Sequence, residues 1–152
     1  MRLRVFSRGV WASLLCLIAG VAMAGEFFEQ DGVALRGYDP VSYFEEGKPR
    51  QGLASHSHTY KGSTFHFSSP ENQRKFAENP QKYAPQFGGF CAYGATKGAK
   101  FSTQPDAFAV VDGKLYLNKT RKVQSLWEQD IPGNIALANE KWPEVSKSKQ
   151  KD

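Results

Sequence analysis

The chain has 152 residues, 20 Lys and Arg against 15 Asp and Glu, and a formal net charge of +5. This length suits one domain that can bury a core of its own, so disulfides are not obligatory. With Cys16 and Cys91 as its only thiols it is no disulfide scaffold, and its basic residues form no clustered face of the kind that marks nucleic-acid binding.

The first segment reads as a secretory signal peptide. Arg2, Arg4 and Arg8 precede an apolar stretch from Val10 to Val21, and Ala22-Met23-Ala24 fits the A-x-A cleavage rule. The stretch is too short for an ordinary membrane-spanning helix. Export to the periplasm or beyond the cell is expected, without stable membrane insertion after cleavage. Cleavage after Ala24 removes three arginines and no acid, so much of the charge of +5 belongs to the leader. The expected layout is a signal peptide over 1–24, a domain over 25–145 and a disordered Lys/Ser tail over 146–152.

Within the domain the elements are short. Gly37-Tyr38-Asp39-Pro40 is a turn signal, and 45–55, with Gly47, Pro49 and Gly52, reads as loop. Strands are expected at 58–61 and 64–68, joined by a Gly62-Ser63 turn, with Phe65 and Phe67 on one face. A helix follows, capped by Ser69, with Pro70 in its first turn and Phe76 facing the core. Asn79-Pro80 stops it, and a further short turn carries Tyr83. The segments 108–111 and 114–117 alternate, and Asp112-Gly113 between them is a strong hairpin signal. Asn118 or Thr120 can cap a helix bearing Val123, Leu126 and Trp127. Pro132-Gly133 interrupts it, and a last helix with Ile135, Ala138 and Trp142 is expected to end at Pro143. Hairpins and helices are segregated and no βαβ alternation occurs. The fold class is therefore α+β, a small single domain of short antiparallel hairpins and several short helices.

Several spaced stretches carry a family resemblance. YKGSTFHF at 60–67, followed by Ser69, Phe76, Asn79-Pro80 and Tyr83, resembles a YHS domain. GYDPVSYF at 37–44, NPQKYAPQFGGFCAYG at 79–94, VDGKLYLN at 111–118 and DIPGNIA at 130–136 are similar to the exported YHS-domain proteins of bacteria. Some of that group carry selenocysteine where Cys91 stands. The resemblance spans about Gly32 to Pro143. Metal-associated YHS modules carry a cysteine in a D-P-V-C motif and two in a C-S-x-x-C motif. Here Ser42, Ser68 and Asn72 take those positions, so the family's thiol site is not carried over.

Cys91 is thus the one thiol of the expected domain, and chemistry at sulfur passes through it. A soft donor needs company, and His56, His58 and His66 are the only histidines. His56 and His58, two apart, share a face if that segment is a strand. The candidate metal set is Cys91 with His58 and His56. Such ligands suit copper better than structural zinc, which wants four protein ligands and C-x2-C pairs. No nucleophile elbow, P-loop, H-E-x-x-H or C-x-x-C occurs, so no catalytic residue is assigned and a binding protein is favoured over an enzyme.

Three readings stay open. Cys91 with histidine holds a transition metal, copper favoured; Cys91 is a reactive redox thiol with a protein thiol as partner; or Cys91 is packed and inert in an interaction module. The aromatics Tyr38, Tyr43, Phe44, Tyr83, Phe87, Phe90 and Tyr93 either line a small-ligand pocket around it or form a packed core.

Overall fold

A computed structural model describes residues 25–152, and the expected signal peptide over 1–24 lies outside them. Three two-stranded antiparallel ladders and six short helices make up the described chain, in agreement with the α+β expectation. None of its helices is long and apolar enough to cross a membrane.

The first ladder pairs β1 (Glu29–Gln30) with β2 (Val33–Ala34), and a one-turn helix α1 (Ser42–Glu45) follows. The main hairpin pairs β3 (Leu53–Tyr60) with β4 (Ser63–Phe67). Its turn is Lys61-Gly62, both at positive φ (47° and 80°), one residue before the expected turn. Two consecutive left-handed residues give the twist that a tight hairpin needs, and glycine takes the second position without strain. Alternation puts Phe65 and Phe67 on the buried face, as expected.

Helix α2 (Pro70–Glu78) opens as its sequence dictates. Ser69 Oγ accepts the Asn72 N–H at 3.1 Å, and Pro70 fills a position whose N–H has no partner in any helix. Phe76 drives into the face presented by Phe65 and Phe67, with ring centroids 4.8 and 5.1 Å away. Full burial of each such ring contributes about 1.5–3 kcal/mol. Helix α3 (Pro80–Tyr83) starts at once, because Asn79 both ends α2 and caps α3.

The chain then turns through Gln86–Gly89, with Phe87 and Gly88 at positive φ, into helix α4 (Ala92–Thr96). Strands β5 (Phe108–Val111) and β6 (Lys114–Leu117) form the expected hairpin around Asp112-Gly113. Helix α5 (Arg121–Trp127) is capped by Thr120. Helix α6 (Ile131–Val145) is longer than expected. Pro132 sits in its first turn, where no N–H is missed, and Pro143 falls so near the end that helical geometry persists past it.

Strand β6 divides the interior. Leu115 and Leu117 face a core built on Phe27, Phe65, Phe67, Phe76 and Tyr83. Tyr116, between them, faces a second core of Phe87, Ala92, Ala95, Trp127 and Ala138. Five of the seven aromatics are therefore shared between two packed cores rather than ringed around one cavity. Tyr43, Phe44 and Tyr83 belong to the first, and Phe87 and Tyr93 to the second.

The segment 148–152 lies along the segment after α4. Gln150 bridges Lys100, the Lys151 N–H donates to the Lys100 carbonyl at 2.8 Å, and Asp152 accepts the Ser102 N–H at 3.0 and 3.1 Å. Its charge drives this docking: a carboxylate finds an otherwise unpaired backbone donor.

Candidate functional site

Two polar centres are buried in this fold. The first gathers Ser42, Ser68 and Asn72 around the buried Asp39. Asp39 is fully buried, and its Oδ2 accepts the Ser68 N–H at 2.9 Å, the Ser68 hydroxyl at 2.7 Å and the Asn72 amide at 2.8 Å. Its Oδ1 accepts the Val41 N–H at 2.8 Å. Ser42 donates to the Asp39 carbonyl at 2.7 Å and accepts the Arg50 N–H at 3.1 Å. The turn before α1, the end of β4 and the first turn of α2 thus meet on one carboxylate. Every donor here is hard oxygen or amide, and both carboxylate oxygens are engaged. A soft transition ion does not fit this set. The hub ties three segments together.

The second centre is Cys91, which is free and 1 % exposed. It forms the N-cap of α4, so its sulfur faces the unpaired N–H groups of the first turn. Sγ accepts the Gly94 N–H and the Lys119 N–H, each at 3.3 Å. The Cys91 N–H donates to the Phe101 carbonyl at 3.0 Å, which sets the residue's direction. Gly94 permits the close approach: a Cβ there would lie 2.6 Å from the Phe101 ring.

Asn118 completes this centre. It is one residue past β6 and keeps that strand's alternation, on the side of Tyr116. Its backbone donates to Ala107 at 2.8 Å and accepts from Gln104 at 3.1 Å. Its side chain is fully buried. Oδ1 accepts the Tyr93 N–H at 3.1 Å and lies 3.6 Å from Cys91 Sγ, within reach of the thiol proton. Because the Tyr93 N–H must meet an acceptor, the amide orientation is settled, and Nδ2 is left without a partner.

Burial pushes the Cys91 thiol above its ordinary value, while the N–H groups of Gly94, Lys119 and Tyr93 and the Lys119 charge pull it down. Burial wins because the sulfur is cut off from water.

The histidines lie elsewhere. His58 pairs with Phe65 across the main hairpin, and its ring stands 6.0 Å from that of Phe76, against the first core. His56 falls where the ladder register shifts between Leu53 and Ser57. His66 pairs with Ser57, its Nδ1 close to Gly37. Among the described residues, no group of three or more His, Cys, Asp or Glu side chains could hold a metal ion. The expected set of Cys91, His58 and His56 is therefore not assembled as a three-ligand site. The reason is topological: β3 directs His58 onto Phe76 of α2, whereas Cys91 is held between α4, Phe101 and the end of β6. The sequence position of Asn118 suits a helix cap, yet the residue closes the VDGKLYLN stretch at 111–118 and serves the sulfur instead.

The fold and the Asp39 hub define a small α+β module in which one hairpin packs against one helix. Residues 41–87 match the family model of the YHS domain. The match covers Ser42, His56, His58, Ser68 and Asn72, while Cys91 and Asn118 lie beyond it. Neither the curated proteins nor the solved structures contain a match to the chain.

Proposed function

We propose that this YHS-domain protein acts in an exported setting as a thiol redox protein centred on Cys91. The observation that carries the reading is the set of N–H groups on the sulfur. Backbone donors from Gly94 and Lys119 point their positive ends at Sγ. These two donors offset part of the cost of negative charge on sulfur or on an oxygen bound to it, while burial still holds the thiol above its ordinary value. The export half of the reading rests on the basic and apolar pattern over 1–24.

A hydroperoxide is the oxidant class that suits a single thiol. After the thiol proton is released, the Cys91 sulfur attacks one peroxide oxygen. The S–O bond forms as the O–O bond breaks, and the leaving oxygen takes up the peroxide proton and departs as water or an alcohol. Sulfur loses two electrons and the peroxide gains them. No second cysteine of the domain can resolve the product. A thiol of another molecule would condense with the sulfenic acid to a mixed disulfide and water.

The test is treatment of the purified protein with hydrogen peroxide, trapping with dimedone and mass spectrometry. A dimedone adduct on Cys91 that is lost in Cys91→Ser is expected. Absence of the adduct overturns the reading. Uptake of about one equivalent of Cu(I) that is lost in Cys91→Ser would overturn it in favour of metal capture.

A further inference from the structure

Asn118 holds a buried donor that no acceptor among the described residues meets. A buried amide N–H without a partner carries a desolvation cost and calls for an explanation. This one belongs to a side chain that is fully buried and whose other polar atom is 3.6 Å from Cys91 Sγ. Its orientation is not free to change. Flipping the amide would give Sγ a donor but set Nδ2 against the Tyr93 N–H, donor facing donor, in place of the 3.1 Å bond. The same carboxamide thus presents an acceptor within reach of the thiol proton and carries an unused donor on the same carbon.

We propose that Asn118 is a positioning residue for Cys91 chemistry: Oδ1 holds the thiol proton, and Nδ2–H receives the oxygen that oxidation adds to sulfur. In the thiol state the donor is idle. In the sulfenate state the new oxygen carries negative charge, and a neutral N–H beside it becomes a charge-assisted hydrogen bond. The Gly94 and Lys119 N–H groups stay on the sulfur, so the two sets of donors divide the anion between them. This rests on the redox reading above and adds the residue that holds its product. Lys119, whose N–H is already spent on Sγ, cannot take that part.

The test uses Asn118→Asp, which keeps an acceptor for the Tyr93 N–H and removes the free donor. Oxidation by hydrogen peroxide is followed as a function of pH, together with the lifetime of the dimedone-reactive species. The expected result is a fall of about tenfold or more in the limiting rate at high pH, with a shorter-lived sulfenic acid, the size expected for one hydrogen bond to a charged oxygen. A change in the midpoint alone, at an unchanged limiting rate, reduces the residue to its charge and overturns the proposal. Asn118→Ser supplies a smaller donor and is expected to recover part of the rate; no recovery, with both variants folded by circular dichroism, also overturns it. If wild-type Cys91 gives no sulfenic acid at all, the redox reading fails first, and the two failures are told apart.

Discussion

Lys119 touches Cys91 and Asp152 at once: its backbone N–H donates to Sγ at 3.3 Å, and its ammonium lies 3.4 Å from the Asp152 carboxylate. The same carboxylate holds the Ser102 N–H, one residue after the Phe101 carbonyl that receives the Cys91 N–H. The segment 148–152 therefore fastens both backbone strands that flank the sulfur.

From this relationship, Asp152→Ala is expected to loosen the cover over Cys91. Alkylation of the native thiol by iodoacetamide should quicken several-fold, with thermal stability changed little, because exposed ion pairs contribute about 0–1 kcal/mol. An unchanged alkylation rate would show that the strap does not limit access.

Stability should fall at alkaline pH. Burial raises the thiol of Cys91 and the phenols of Tyr43 and Tyr116 above their ordinary values. A group whose folded value is raised binds its proton more tightly when folded. Its contribution is whole below the unfolded value and is lost as pH rises beyond it. For the thiol that loss begins near 9.0, and for the phenols near 10.0. Urea unfolding at a series of pH values checks this, and Cys91→Ser should flatten the earlier part of the decline.

Asp39→Ala should be among the most damaging single changes. It leaves the Val41 and Ser68 N–H groups, the Ser68 hydroxyl and the Asn72 amide without their acceptor. Each unsatisfied buried donor costs about 1–3 kcal/mol, not additively, so a loss of about 3 kcal/mol or more is expected in denaturant unfolding. A loss under about 1 kcal/mol would mean that water replaces the carboxylate freely.

The same hub offers a gain of function. Replacing Ser42, Ser68 and Asn72 together by cysteine puts thiols where hydroxyls and an amide now converge on Asp39. The triple variant is expected to bind about one equivalent of Cu(I) by titration, since soft thiolates select that ion. If it folds and binds none, the geometry around Asp39 has diverged from a metal site in more than its ligands.

Gly94→Ala tests how tightly α4 is seated. The added Cβ would lie 2.6 Å from the Phe101 ring and 3.2 Å from the Ala99 carbonyl. Overpacking of this kind costs about 1–3 kcal/mol. It should also shift the Gly94 N–H off the sulfur, seen as faster hydrogen exchange at that amide.

Local features were legible because neighbouring residues decide them. Ser69 and Thr120 cap their helices, Asp112-Gly113 turns its hairpin, and Phe65 and Phe67 share a buried face, all through interactions within a few residues. The serines and asparagine at 42, 68 and 72 already excluded the family's thiol site, because a hydroxyl or amide is a poor ligand for a soft ion. The surroundings of Cys91 could not be read in that way. The parity of β6, the direction of α4 and the docking of 148–152 bring residues 94, 118 and 119 onto one sulfur, while His58 of β3 faces α2. Chain-distant packing sets those directions, and no local pattern encodes them. The sequence determined that sulfur chemistry would pass through Cys91; the tertiary structure decided that the sulfur is met by N–H donors and a buried amide rather than by imidazole.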